Sequence, residues 1–498
     1  MCMREYPHSS FARQGLDQEQ EHWANMSGRL MRETAKREVE ALRVSGHLAG
    51  FQWWLLQDFW TGSNGVFDYF LNIKPGISDE PAELRTFLSQ TILLCEDPLP
   101  AAMRGGQSVN TTLKLSAYTS IAVGATVSWS VEIAGGILVN GTDHLGSRPL
   151  PRGQVSNLTS ISFGLPAGLL GSYPLGTATT AARLKLSAQI RGASGELIAS
   201  NYWTTRVYPT FSIGPSSAHN LTVYTSKDLE HACMFSDCQA LPDSSATALP
   251  PGSVILLSGA SIPTVATELV TKGATLLFVQ TLAGKPFPST ATRFKSAWWL
   301  GSTTDNNCGS VVYSSAASIL SGMAEDGYLD YSWHSLVNEC QTILLEGLAN
   351  GTQQLQVMVR ALDIAGTGSR SKALLFRYAL GQGTVMVTGL NVLQNLTNRG
   401  ETNHTAHAAG CPAEFPFPIN PNTTNGKTGA NMVCYKSQSE AHAGTGPCGS
   451  WCTKSLDIGS GCGDNSQHLC SGGYRPDALW LLFQMIRQAA VGGLNVAA

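Results

Sequence analysis

Charge is the scarcest ingredient of this 498-residue chain: Asp, Glu, Lys and Arg supply 13% of it, against the ~25% usual in soluble domains. Its 32 basic and 35 acidic residues leave a net charge of -3. With neither a basic excess nor a Lys/Arg cluster, nothing can track a phosphate backbone, and nucleic acid is excluded as a partner. No run approaches the ~18 consecutive apolar residues of a membrane-crossing helix, so no membrane span is expected. The first residues, MCMREYPHSSFARQGLDQEQEHW, lack the apolar stretch of about 7–15 residues that a secretory leader carries. No glycine-rich phosphate loop is present either. GQGT at 381–384 has neither the Walker nor the dinucleotide spacing, and no cofactor is implied.

What is abundant is apolar surface, 43% of residues, and glycine, 51 residues. That composition folds rather than staying disordered, and the length suffices for two to four domains. Twelve cysteines, six of them between Cys411 and Cys470, are many for a chain kept reduced. Nine Asn-x-Ser/Thr sequons, at Asn25, Asn110, Asn140, Asn157, Asn220, Asn350, Asn395, Asn403 and Asn422, point the same way. Secretion or lumenal residence is therefore expected, with a leader and further protein upstream of Met1.

Residues 16–45 carry Leu16, Trp23 and Leu30 at seven-residue steps, and i,i+4 pairs Glu33/Arg37 and Lys36/Glu40 on the other face. They predict one helix that stops at Gly46. FQWWLLQDF then reads as a strand buried on both faces. From 86 to 212, runs such as TTLKLSAYTS and ARLKLSAQIRG alternate in the β manner, and about seven strands predict an immunoglobulin-like sandwich. Beyond the linker-like FSIGPSSAHN, the buried-type strands LTVYT, GSVILLS, ATLLFVQ and GTVMVTGLN, with the helical IPTVATELVTKG, predict a doubly wound α/β domain. PDALWLLFQMIRQAA closes it as an amphipathic helix with Pro476 near its start. The aperiodic stretch at about 399–474 reads as a disulfide-tied insertion.

Within GFQWWLLQDFWTGSNGVFD (50–68), Trp54, Gln57 and Asp58 sit where a barrel strand ends and functional side chains gather. Aromatic faces stack on sugar C–H surfaces while carboxylates and amides bind hydroxyls. The same residues also read structurally, with Trp53 and Trp54 in a core and Asp58 capping the turn. The segment from Trp23 to Ser78, above all GFQWWLLQDFWTGSNGVFDYFLNIKPGIS, resembles the last helix and eighth strand of glycoside hydrolase family 2 barrels, the family of β-galactosidases and β-glucuronidases. In β-glucuronidase-like members a Trp four residues before an Asp-Phe pair lines the sugar subsite, which maps onto Trp54 and Asp58-Phe59.

The resemblance implies three parts: residues 1–80 as the end of a (β/α)8 barrel, 81–212 as the sandwich and 213–498 as the α/β domain. It implies carbohydrate as partner, with Trp54, Gln57 and Asp58 as substrate-binding residues. Such enzymes retain configuration by means of two Glu carboxylates about 5–5.5 Å apart. Those belong to earlier barrel strands, so no catalytic residue is carried onto this chain, and Glu5, Glu19 and Glu96 receive no role. Asp58 and Asp68 flank one turn but lack a closed cleft that would shift a pKa. The α/β part shares its architecture with class I glutamine amidotransferases, yet no cysteine stands in their Gly-x-Cys-x-Gly elbow, and VQTLAG offers none there. Cys448, Cys452, Cys462, Cys470 and His468 lack a C-x2-C zinc knuckle, so disulfides are expected and no metal. The alternative function is a non-catalytic glycan-binding glycoprotein using Trp129, Tyr202 and Trp203.

Overall fold

The computed structural model describes residues 20–46, 50–53, 55–59, 65–148, 150–170, 181–209, 222–226, 229, 237–281, 285–291, 311–313, 318–320, 322–323, 330–337, 340–346, 348, 355–361, 372–393 and 476–492. Met1–Leu393 and Pro476–Ala498 form one compact unit and Gln394–Arg475 a second. The second unit, which holds the expected disulfide-tied insertion and its zinc alternative, lies outside the described residues.

Helix α1 (Gln20–Val44) matches the predicted helix, and Gly46, at φ +66°, ends it as only glycine does cheaply. Both i,i+4 pairs form: Arg37 Nη2 lies 3.5 Å from Glu33 Oε1, and Lys36 pairs with Glu40. The charged face is nevertheless not a solvated one, because Glu40 is 9% exposed, comparable with Met26 at 7%. A short helix α2 (Pro81–Leu88) follows and buries Phe87 completely.

The expected doubly buried strand at FQWWLLQ does not form as a ladder. Its backbone pairs with the loop that follows, through a parallel bridge Gln57↔Phe67 in which Phe67 N donates to Leu56 O (2.9 Å) and Asp58 N to Phe67 O (3.0 Å). Burial on both faces requires a packed layer over each face of a sheet; here no ladder forms among the described residues, and Leu56 and Phe59 stay exposed at 66% and 63%. The described residues form no barrel.

Eight strands follow: β1 (Thr91–Cys95), β2 (Ala102–Arg104), β3 (Ser108–Ala117), β4 (Thr126–Ile133), β5 (Gly136–His144), β6 (Gln154–Gly164), β7 (Ala182–Arg191) and β8 (Leu197–Tyr208). They make a three-stranded sheet β1-β3-β6 and a five-stranded sheet β2-β8-β7-β4-β5. All neighbours are antiparallel except β2 with β8. Alternation does the sorting: β3 buries Val109, Leu113 and Leu115, and β7 buries Leu184, Leu186, Ala188 and Ile190, into one core between the sheets.

The remaining strands are β9 (Thr222–Thr225), β10 (Asp237–Ala240), β11 (Val254–Leu257), β12 (Thr275–Val279), β13 (Ser289–Ala291), β14 (Val311–Tyr313), β15 (Gln341–Leu344), β16 (Gln356–Ala361), β17 (Lys372–Leu380) and β18 (Gly383–Thr388), with helices α3 (Thr264–Thr271), α4 (His334–Val337) and α5 (Pro476–Gly492). The sheet order β10-β9-β11-β12-β18-β17-β15-β13 is parallel as far as β18 and antiparallel beyond it. β11 and β12 are buried along their whole length, as strands with both faces covered must be. Ile255, Leu257, Leu276 and Phe278 pack with Leu269 and Val270 of α3. Val254, Leu256, Leu277 and Val279 point the opposite way by alternation, and α5 lies across β11, β12 and β18. A mixed α/β and β architecture is what the sequence led one to expect, with the antiparallel extension added.

Candidate functional site

The sharpest local structure in 50–78 is built around a glycine. A Cβ on Gly65 would lie 2.2 Å from Gln57 C, 2.3 Å from Asp58 N and 2.6 Å from Phe67 O, so only glycine lets the returning chain lie on residues 57–58. That contact brings Gly65 N to Asp58 Oδ1 at 2.9 Å. Lys74 Nζ donates to the same oxygen at 2.7 Å and to Gly65 O at 3.0 Å. Side-chain exposures of 14% for Lys74 and 7% for Asp58 make this a largely desolvated ion pair, satisfied at both ends.

Asp68 closes a second turn. Its Oδ1 accepts from Phe70 N and Asn72 N, each at 2.8 Å, and Oδ2 from Asn72 Nδ2 at 3.0 Å, holding Leu71 at φ +62°. The two carboxylates are thus engaged by separate turns rather than by each other. The segment is then seated on α1 backbone to backbone: a Cβ on Gly28 would meet Pro75 O at 2.1 Å, and one on Gly76 would meet Asn25 O at 2.2 Å.

On this pinned frame the large side chains point outward. Phe51 (43%), Leu56 (66%), Phe59 (63%), Tyr69 (55%), Phe70 (77%) and Ile73 (64%) are exposed, and Tyr69 and Phe70 meet edge to face at 5.4 Å. Of the residues expected to bind sugar, Gln57 is exposed beside this rim. Asp58 is 5% exposed and spends Oδ1 on the turn. Trp54 lies outside the described residues. Trp53 is half-buried and stacks on Phe87 at 6.4 Å. Sequence reasoning missed Lys74, which is remote from the motif. It also missed Gly28, although a lone glycine inside a helical pattern is a packing signal.

Of the sandwich aromatics proposed for the alternative function, Trp129 and Trp203 pack against the core between the sheets, whereas Tyr202, next to Trp203 on β8, points the other way by alternation. Trp203 is 9% exposed and donates Nε1–H to Glu40 Oε2 at 2.8 Å. The Tyr202 hydroxyl donates to Glu83, and burial first, then that acceptor, push its phenol well above the ordinary range. Trp129 lies against Gly141, where a Cβ would come within 2.7 Å of the indole. In the α/β sheet the position after β12, where an elbow nucleophile would stand, is taken by Gln280. It is 1% exposed, and its amide closes on Phe287 N and O at 3.1 and 3.0 Å. Burial pushes the Cys95 thiol up, away from the reactive thiolate. Cys238 is disulfide-bonded. Among the described residues no cluster of His, Cys, Asp or Glu could hold a metal, and no helix is long and apolar enough to cross a membrane.

A model of a domain of unknown function, DUF8487, matches residues 260–408, within the α/β part. No curated protein sequence matches the chain. Similar solved structures include a Niemann-Pick type C2 protein from Japanese carpenter ant (10% identity, 23% of this chain and 88% of that one, TM-score 0.16). Others are the sporulation control protein Spo0M from Bacillus subtilis (14%, 24% and 48%, TM-score 0.15) and a CARDB domain from Pyrococcus furiosus (14%, 24% and 86%, TM-score 0.15). At such TM-scores these likenesses carry no argument about fold or function.

Proposed function

We propose that this chain is the C-terminal portion of a secreted or lumenal retaining β-glycosidase of the family 2 type, in which segment 50–78 supplies one wall of the sugar subsite. Trp54 and Gln57 bind the sugar, and Asp58 fixes the turn that lies on Gln57. In this reading residues 1–80 end a (β/α)8 barrel, 81–212 are an immunoglobulin-like accessory sandwich and 213–498 an amidotransferase-like domain without a nucleophile. The observation that carries it is the pairing of a rigid, internally hydrogen-bonded backbone with an outward rim of Phe51, Leu56, Phe59, Tyr69, Phe70 and Ile73. Exposed apolar surface of this density marks a site that meets something else. The disulfide at Cys238 supports an oxidising compartment.

Hydrolysis needs both a nucleophile and an acid/base carboxylate, and this reading places neither in the chain. The chain alone should therefore leave nitrophenyl β-glycosides intact. The polypeptide read in frame from upstream of Met1 should cleave one of them, and Trp54→Ala in it should lower kcat/KM by on the order of 10²-fold, as loss of substrate positioning does. Glu-dependent turnover by the chain alone, or a Trp54→Ala enzyme of unchanged kcat/KM, would sink the proposal.

A further inference from the structure

Four of the nine sequons fall on described residues, and the fold sorts them. Asn25 lies within α1, where its carbonyl faces Gly76 and the next residue, Met26, is buried. An oligosaccharide there would compete with the 74–78 loop for the helix surface. Asn110 on β3, Asn140 on β5 and Asn157 on β6 are instead exposed, in extended backbone. Their hydroxyl residues Thr112, Thr142 and Thr159 stand two positions on.

The last two mark a particular side of the sandwich. Among the described residues β5 pairs with β4 alone and β6 with β3 alone, so each is the edge of its sheet; on β6 the Arg148 guanidinium donates to Asn157 O and Leu158 O, and no strand covers the rest. The edges adjoin, since the Thr159 hydroxyl of β6 donates to Asp143 of β5. The opposite edges, β1 and β2, are covered by helices: α1 and α2 contact β1, and α5 contacts β2. An open edge is a template for another strand, and β5 adds Ile137, 64% exposed.

We propose that Asn110, Asn140 and Asn157 are N-glycan acceptors, and that the glycans on Asn140 and Asn157 shield the open β5/β6 edge from strand-to-strand association. The donor is a lipid-diphosphate-linked oligosaccharide. The side-chain amide nitrogen forms a bond to the sugar's anomeric carbon, the bond from that carbon to the diphosphate oxygen breaks, and the amide gives up one proton as the lipid diphosphate leaves. The product is bulky and hydrated, as an edge guard must be. The inference rests on the lumenal localisation and not on glycosidase activity.

The test is to secrete the full chain behind a leader from a eukaryotic host and release glycans with peptide-N-glycosidase in heavy-oxygen water, which converts each occupied Asn to labelled Asp. Peptide mass spectrometry should find label at Asn110, Asn140 and Asn157 and none at Asn25. Absence of label at Asn140 and Asn157, or full label at Asn25 alone, would overturn the acceptor assignment. Secreted Asn140→Gln/Asn157→Gln protein should shift toward higher-mass species in light scattering, whereas the same double substitution should change nothing in protein made without glycans. A secreted variant that stays as monodisperse as its parent would overturn the edge-guard role. Unmodified protein from the native source, alongside modified protein from the secreting host, would refute the localisation and leave the acceptor geometry standing.

Discussion

Asp58 illustrates how one residue type fits two jobs that sequence alone does not separate. A carboxylate after a tryptophan-rich strand end suits a sugar hydroxyl, but a sequence that favours a turn, Ser-Asn-Gly at 63–65, equally invites an acceptor. Oδ1 is in fact shared by Gly65 N and Lys74. The two ends of the pair respond differently to substitution. Asn at position 58 keeps an acceptor for Gly65 N, and the Lys74 ammonium, on a flexible stem, can turn to water. Met at position 74 strands the Asp58 carboxylate with one backbone donor at 7% side-chain exposure. Lys74→Met should therefore cost about 3 kcal/mol and Asp58→Asn clearly less, as measured by urea denaturation; the reverse order would refute the assigned roles. The Gly/Asn turn was legible because its chemistry is local. Lys74, sixteen residues from Asp58, was not, because nothing in the intervening sequence encodes which charge folds back.

At the scale of elements, helix α1 was legible in extent but not in surroundings. Its periodicity and Gly46 stop follow from the chain itself, whereas its charged stripe reads like a solvated face and is an internal one. Glu40 accepts from Asn201 Nδ2 at 2.7 Å and Trp203 Nε1 at 2.8 Å as well as from Lys36. Arg43 reaches Ser89 O, Gln90 O and Ser116 O at 2.6–3.0 Å. In a chain with 13% charged residues, such a concentration on one helix was the available signal. Glu38 lacks such compensation: burial raises its pKa above the ordinary 4.5. Between 4.5 and the raised value the folded state binds more protons than the unfolded one, so stability falls as pH climbs through that window. Glu38→Gln removes the penalty. The variant should melt higher than the parent at pH 7, and the two curves should converge below about pH 4. A variant that is destabilised at pH 7, or a difference that persists in acid, would contradict this.

Across the compact unit, the same helix joins parts that the sequence presents as separate domains. From the sandwich, Arg206 of β8 donates to Asp330 at 2.9 Å through Nε, lies 2.8 Å from it through Nη2, and reaches Gly322 O at 2.8 Å through Nη1. From α1, Glu33 accepts from Tyr331 N at 3.0 Å, and the Arg37 guanidinium lies 4.2 Å from the centre of the Tyr331 ring. Tyr208 of β8 approaches Trp480 of α5 at 6.5 Å between ring centres. Arg206 is 3% exposed and the Asp330 side chain 18%, so the contact is largely desolvated, and its loss leaves Asp330 with the Ser332 donors on Oδ1 and no cation on Oδ2. Long-range pairings of this kind, with |i−j| of 124 and 298, leave no trace in local patterns, and a boundary drawn at residue 212 passes between Arg206 and the residues that hold it. Calorimetry of the intact chain should accordingly give one transition for sandwich and α/β sheet. In the Arg206→Met/Glu33→Gln variant that transition should split, the component carrying the 330–337 segment melting first. If the variant instead unfolds in one step at the parental temperature, the two parts are coupled by something other than α1 and the Arg206 clasp, and the junction assigned to them carries no cooperativity.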